Sequence, residues 1–498
     1  MTRPLLIKGV RLLDGQAWNG ELADLLVIDG RIADIGISIA PPSEAKVFDG
    51  TNYLVHPGLV NGHTHGHGSL AKGTGDRWTL ELLLAAGPWI SGARSPEDRR
   101  LAAQINAAEM ALKGVTSAYD LFFELPTPTA EGITEAANGY GDVGLRVTIA
   151  PMLADRTLYQ AVSGLLDALP DELCEGLSEP RPFGESVSEI ERLIHGWSLS
   201  SNRAQLGLAP TISAHCSDEL LSACRALSEE FGLPVHSHVS ESKVQLVSGR
   251  LHWGGSVVDR LEAAGLLNKR FTAAHGVWLT QADMEKLGVA QSTVALNVGS
   301  NMRLGNGLPD PRGMVSNGIN LAIGTDGSNS SDNQNMYEAL RLASFASRLR
   351  GTHPDSWLTA AETIEAATLG GAQSMGWQDW VGKLAVGMAA DLAFLDLATI
   401  NWLPVNVPLH QLVHTEDGNA VRHVMVGGEW IVRNRQLTRI DVQSLAQSAH
   451  EARARLAKKT RKERETFLRL APLVAEYCQG LAYDSATSTS GCGCGWSD

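Results

Sequence analysis

Cysteine is scarce: six residues in 498, namely Cys174, Cys216, Cys224, Cys478, Cys492 and Cys494. So few thiols in so long a chain exclude a disulfide framework of the kind that small secreted domains depend on. Long apolar runs are missing as well. No stretch approaches the ~20 apolar residues that a membrane helix needs. The opening Met-Thr-Arg-Pro-Leu-Leu-Ile-Lys-Gly-Val lacks the apolar core and small-residue cleavage site of a signal peptide. The expected location is cytoplasmic. Positive charge is in deficit, with 41 Lys and Arg against 55 Asp and Glu and a net charge of −14. That balance carries no electrostatic footprint for nucleic acid or an anionic membrane. Apolar residues make up 44% and charged residues 19%, enough to bury a large core and exclude disorder.

What is present alternates. The N-terminal units "LLIKGVRLLDG", "DLLVIDGRIADIGI" and "KVFDGTNYLVHPG" read as short strands punctuated by Gly and Asp. Similar pieces return in "ADLAFLDL" and "AVRHVMVGGEWIVRNRQL". Their shared character predicts one small β domain built from both ends, residues 1–55 plus 385–440. Between them, residues 56–384 hold eight strand candidates: "LVHPGLVNGHTH", "VTSAYDL", "LRVTIAPM", "QLGLAPT", "LPVHSHV", "FTAAHGV", "STVALNV" and "NLAIGTDG". Helical patterns such as "PEDRRLAAQINAAEMALKG" separate most of them. Eight βα units imply a closed (β/α)8 barrel.

Residues 155–200 form a long excursion after the third of these strands, and read as a surface insertion in preference to a cover over the barrel mouth. Residues 441–498 form a C-terminal extension, helical at first. Its basic run from Arg453 to Arg469 reads as a solvated helix face rather than a partner site. The Ser/Gly-rich tail carries Cys492 and Cys494, and two thiols alone make a weak metal site.

The chemistry sits at strand ends. His63 and His65 in "NGHTH" are spaced i, i+2, so on a strand both imidazoles face one side. Alone, that spacing reads equally well as two ordinary polar residues. His67 follows but falls in the loop. "PVHSHVSES" repeats the spacing: His238 closes the strand, His236 reads as a buried structural histidine, and Glu241 lies just above on the loop, suited to acid–base work. His275 ends "FTAAH" and Asp326 ends "LAIGTD". One such polar tip could be a cap; four in one barrel, at the end where barrel enzymes work, point to a metal site. Imidazole and carboxylate suit Zn²⁺ first and Fe²⁺ second. "LGLAPT" ends without a lysine, which leaves no bridging ligand for a second ion and favours one.

With "PGLVNGHTH", "HVSES", "AAHGVWL", "SNMRLGNG" and "GTDGSNSSDNQNM" in place, the chain resembles the amidohydrolase superfamily. The nearest branch is that of the adenosylhomocysteine/methylthioadenosine deaminases and triazine hydrolases. The resemblance implies a distorted (β/α)8 barrel with a small β-sandwich from both chain ends. It implies His63, His65, His238 and Asp326 as metal ligands. Glu241 would be the proton shuttle and His275 the residue that orients the attacking nucleophile, with Asp326 accepting its proton. A small nitrogenous substrate and a homo-oligomer follow from the same likeness. Departures lie in the pocket: Thr211 stands where nucleoside-processing relatives have a histidine, "PWISG" has no acid for a ribose, and Leu296 replaces a histidine.

The reaction expected is release of ammonia from an amino-substituted N-heterocycle. Hydrolysis of an amide, urea or carbamate, or dechlorination of a triazine, would use the same site. A non-catalytic scaffold of the same fold should have lost ligands, and here none is lost. Trp78 and Trp89 are expected to pack beneath the pocket rather than line it.

Overall fold

The eight apolar runs do become strands, all parallel, because each is β-branched or Ala-rich and is followed by a helix that returns the chain to the same end. In a computed structural model, residues 3–14, 20–179, 183–351 and 353–483 are described. The first arc pairs Leu59–His65 with Val115–Phe122, then Arg146–Leu153, then the split fourth strand Ala204–Leu206 and Ala209–Pro210. The second arc runs Val235–Val239, Phe271–His275, Thr293–Leu296 and Asn320–Ile323.

Two seams connect the arcs. At one, isolated bridges join Leu208 to Val235 and Ile212 to His238. At the other, Asp326–Gly327 pairs with Thr64–His65, so the eighth strand serves both arcs. Gly324 makes that step possible: a Cβ there would meet the His63 carbonyl oxygen at 2.7 Å and Asn297 Oδ1 at 2.3 Å.

Helix starts follow local chemistry. Ser95 caps Pro96–Ala111 with a capping box to Asp98, and Pro96 occupies the first turn, where no N–H is needed. Ser217 caps Asp218–Phe231, which stops at Gly232 in the left-handed region.

Strands from both chain ends share one nine-stranded sheet. Its order is Gln436–Leu437, Glu429–Arg433, Val421–Val426, Leu392–Asp396, Tyr53–Pro57, Leu5–Leu12, Glu21–Ile28 and Arg31–Gly36, with Lys46–Asp49 also on Leu5–Leu12. A small β domain from both chain ends was expected here, and its strands form one continuous sheet. Within it, Leu5–Leu12 takes three neighbours across a bulge between Ile7 and Val10, so the sheet folds over its own core of Ile7, Leu25, Val55, Leu392 and Phe394.

The excursion after the third parallel strand divides its labour. Phe183–Gly196 packs outside, on Ala130–Val143, whereas Leu158 and Tyr159 turn inward. The C-terminal helix Arg461–Tyr483 also differs from a purely solvated face. Its basic residues are exposed, but Phe467, Leu470, Val474 and Cys478, spaced three and four apart, are buried in one cluster with Leu82, Ala85, Ala86 and Val244 and with Leu158 and Tyr159 of the excursion. Cys492 and Cys494 lie outside the described residues. No helix among the described residues is long and apolar enough to cross a membrane.

Candidate metal centre

Every strand tip singled out in the sequence reaches one place. The possible ligand atoms of His63, His65 and Asp326 lie within 4.8 Å of one another, as do those of His63, His238 and His275, and those of Glu241, His275 and Asp326. His65 and Asp326 come together because their strands pair at the second seam. His238 and His275 come from adjacent strands of the other arc. His275 and Asp326 both have positive φ, +73° and +60°. That backbone is costly for residues with a Cβ, and such strain gathers at functional sites.

The hydrogen bonds fix which nitrogens face inward. His65 Nδ1 lies 2.7 Å from the Leu121 carbonyl and His238 Nδ1 lies 2.5 Å from the Thr211 carbonyl. A carbonyl only accepts, so both Nδ1 atoms carry the proton and both Nε2 atoms present lone pairs. Those two Nε2 atoms stand 3.1 Å apart. Asp326 Oδ1 is 3.2 Å from His65 Nε2 and 3.6 Å from His63 Nε2, and neither ring nitrogen of buried His63 has a hydrogen-bond partner. The two facing Nε2 lone pairs repel one another, and the Asp326 carboxylate beside them calls for positive charge. A divalent cation satisfies both demands, so the donor set fits such an ion.

The protonation states agree. Burial pushes the pKa of His63 down to about 3, against the pull of Asp326, and holds His238 well below the usual range, helped by its imidazole neighbours. Both are therefore held neutral, the form in which an imidazole can bind a metal. Burial also favours protonated Asp326, but His63 and the other surrounding imidazoles outweigh it and hold that pKa well below the usual range. Glu241 goes the other way. Burial, then the charges of Asp326 and Glu81, raise it well above the ordinary carboxyl range. It is therefore an acid with a proton to give.

Outer groups hold these two working side chains. Asn301 Oδ1 lies 2.8 Å from His275 Nδ1, which turns His275 Nε2 toward Glu241 Oε2 at 3.6 Å and Asp326 Oδ2 at 3.9 Å. Asn306 Nδ2 donates to Glu241 Oε1 at 3.1 Å, and Gln245 Oε1 accepts from the Glu241 backbone at 3.0 Å. Ser242 donates to buried Glu81 at 2.8 Å. Sequence reading quoted "SNMRLGNG" without giving Asn301 or Asn306 a role. Glu81 carried no signal at all, since a Glu in a Leu-rich helix looks like any solvated position.

Other expectations sort themselves around this centre. His236 is buried beside the ring of His63, outside the convergent group. His67 lies past the strand, in Gly66–Ala71, and lines the cavity. Thr211 lines it too and holds His238 through its carbonyl; Leu296 is buried in the core instead. Trp78 and Trp89 pack on Phe467, with ring centres 5.2 and 5.6 Å away. The cavity itself has a volume of about 660 Å³. It is walled by the excursion (Leu158, Tyr159) and the C-terminal helix (Phe467, Leu470) as well as by the strand tips, so the excursion covers the mouth, where an outer insertion was expected.

Comparison with known proteins adds three findings. The sequence profile described as "Amidohydrolase family" matches residues 54–431. The chain is similar to the 5-methylthioadenosine/S-adenosylhomocysteine deaminase of Pyrococcus abyssi, with 30% identity over 440 residues, 88% of this chain and 96% of the relative. Among solved structures it is similar to an adenosine deaminase from Xanthomonas campestris with bound zinc (TM-score 0.80, 24% identity, 91% of this chain and 98% of that one). It is also similar to an atrazine chlorohydrolase from Arthrobacter aurescens complexed with zinc (TM-score 0.79, 24% identity, 90% and 100%). At these identities the two structures establish a common fold.

Proposed function

The chain belongs to the amidohydrolase family of hydrolytic enzymes, and we propose that its reaction is the metal-dependent release of ammonia from an amino-substituted N-heterocycle. The observation that carries this reading is the convergence of His63, His65, His238 and Asp326 beside the buried carboxyl group of Glu241, which Asn306 and His275 flank. On this reading His63, His65, His238 and Asp326 hold one divalent ion. Zn²⁺ is the ion we favour over Fe²⁺; the three imidazoles and one carboxylate support it, as does zinc in the two structural relatives.

When bound, the ion supplies Lewis acidity, drawing the pKa of a water toward ~7. Asp326, kept ionised by its imidazole neighbours, accepts the proton that the attacking water gives up. His275, with its Nδ1 engaged by Asn301, offers Nε2 to orient that attack. Glu241 donates its proton to a ring nitrogen, which makes the adjacent carbon electrophilic, and a proton passed on to the amino group lets ammonia leave.

The same reading takes the two parallel arcs as halves of one distorted (β/α)8 barrel over residues 56–384. The folded sheet is then a small sandwich-like domain from residues 1–55 plus 385–440, and residues 441–498 are a C-terminal extension. A homo-oligomer and a cytoplasmic location belong to it as well. The test is ammonia release by zinc-loaded protein from a panel of amino-heterocycles. Glu241→Gln should keep its metal while turnover falls by ~10²-fold or more; unchanged turnover removes Glu241 from the reaction. Release of chloride or an alkylamine in place of ammonia would move the assignment to the triazine-type reaction.

A further inference from the structure

The strand tips account for only one end of the cavity. A volume of about 660 Å³ takes a ligand of drug size and exceeds what a bare one- or two-ring heterocycle fills. The buried carboxylates that line it, Glu241 and Asp326, both lie at the histidine end. The opposite wall carries an apolar patch, flanked by charged residues such as Arg156 and Lys462. Leu158 and Tyr159 of the excursion and Phe467 and Leu470 of the C-terminal helix line it, all four buried and all in one hydrophobic cluster. This wall is fixed in place: Tyr477 donates to the Ser163 carbonyl at 2.7 Å, tying helix to excursion, while Trp78 and Trp89 brace Phe467. One turn before Phe467, Glu463 lines the cavity with an enclosed Oε2 that has no hydrogen-bond partner.

We propose that the C-terminal helix is the specificity wall of this site. The substrate is an amino-heterocycle whose ring faces Glu241 and whose apolar alkyl or aryl substituent lies along Phe467 and Leu470. This rests on the aminohydrolase reading above and names its substrate class. A bare heterocycle would leave the apolar patch against water, whereas a substituent removes that surface from water, worth roughly a fourfold gain in affinity for each methylene added. A hydroxyl or amine at the end of the substituent finds its acceptor in Glu463 Oε2. A sugar laid flat on Phe467 and Leu470 would lose hydroxyl hydration against two side chains that offer no hydrogen bond, with Glu463 Oε2 the acceptor at the edge of that patch.

The experiment uses the zinc-loaded full chain and a series of aminopurine, aminopyrimidine and aminotriazine cores. Each core is offered bare, with butyl and benzyl substituents, and as the ribonucleoside. Ammonia release should give kcat/KM at least tenfold higher for the butyl and benzyl forms of the accepted core, chiefly through KM. In Phe467→Ala that preference over the bare core should collapse at least tenfold. Phe467→Trp, which fills space instead of emptying it, should reject benzyl more than butyl. A bare core or ribonucleoside that equals or beats the substituted forms overturns the proposal, as does a preference that survives both variants. If no core releases ammonia, the aminohydrolase reading fails on its own. Calorimetric titration of the same compounds then decides the wall: affinity that climbs with the substituent and falls in Phe467→Ala upholds it, and flat affinity overturns it.

Discussion

The two ends of the same parallel strands bury charge in opposite ways. At the entry end, Arg146 meets Asp391 through two bonds of 2.7 and 2.9 Å, joining the third parallel strand to the edge of the terminal sheet. The Gly427 N–H donates to the same carboxylate at 2.7 Å, and a further Arg146 N–H reaches the Asn202 carbonyl. At the exit end, His63, Glu241 and His275 are just as buried, yet each keeps a nitrogen or oxygen with no partner. Burial without partners is costly, and native structures make few exceptions. The first end is a finished joint. The second gathers donors that have no partner within the protein, and their convergence fits a divalent cation.

This contrast can be broken at either end. The largest effect is expected from His238→Ala. Bound metal, measured by elemental analysis, should be lost, and ammonia release should fall by more than ~10³-fold. Wild-type metal content in that variant would end the assignment of His238 as a ligand. At the entry end, Arg146→Met should cost about 3–5 kcal/mol in urea unfolding, because it strands a buried Asp391. The doubly apolar Arg146→Met/Asp391→Met should recover most of that. A small loss in the single variant would mean that the joint is not finished after all.

The third prediction concerns pH and the terminal sheet. His56, which sits between the Pro57 carbonyl and Tyr337 at 2.7 and 2.9 Å, has its pKa pushed down to about 4 by burial. Its folded value lies below its unfolded one, so the unfolded chain takes up the proton first. The stability this residue contributes is present above about pH 6.5 and drains away as pH falls toward 4, by ~3 kcal/mol at most. The stability difference between the zinc-loaded wild type and His56→Gln should shrink across that window; a constant difference would refute the assignment. The smallest effect is expected from Asn301→Ala, which frees His275 Nδ1. Turnover should fall about tenfold to a hundredfold with metal content kept, and a variant with full turnover would show that His275 needs no such support.

Much of the exit end was legible in the sequence. A polar residue closing an apolar run is visible in one dimension, and strand periodicity tells which way His63 and His65 point. The supports were not visible. Thr211 acts through its backbone carbonyl, which every residue has, so its side chain gave no hint. Asn301 and Asn306 matter only because a helix after the seventh strand carries Asn301 to His275 and the loop that follows brings Asn306 to Glu241. The stripe from Phe467 to Cys478 was readable as amphipathic, but sequence spacing cannot name the surface it covers, and the charged face drew attention instead. The terminal sheet showed the opposite limit: its strands were plain, while the bulge that folds one sheet over itself depends on which strands share an edge.

The C-terminal helix has a consequence in time as well as in space. A ribosome delivers the N-terminus first, so the strands that carry His63 through Asp326 emerge long before Phe467 and Leu470. At ~5–20 residues per second, roughly ten seconds or more separate the last strand tip from the helix that walls the cavity. A nascent or prematurely stopped chain can thus own every donor of the centre while lacking the surface that closes around a ligand. The cavity can be walled on that side only once the helix Arg461–Tyr483 has emerged.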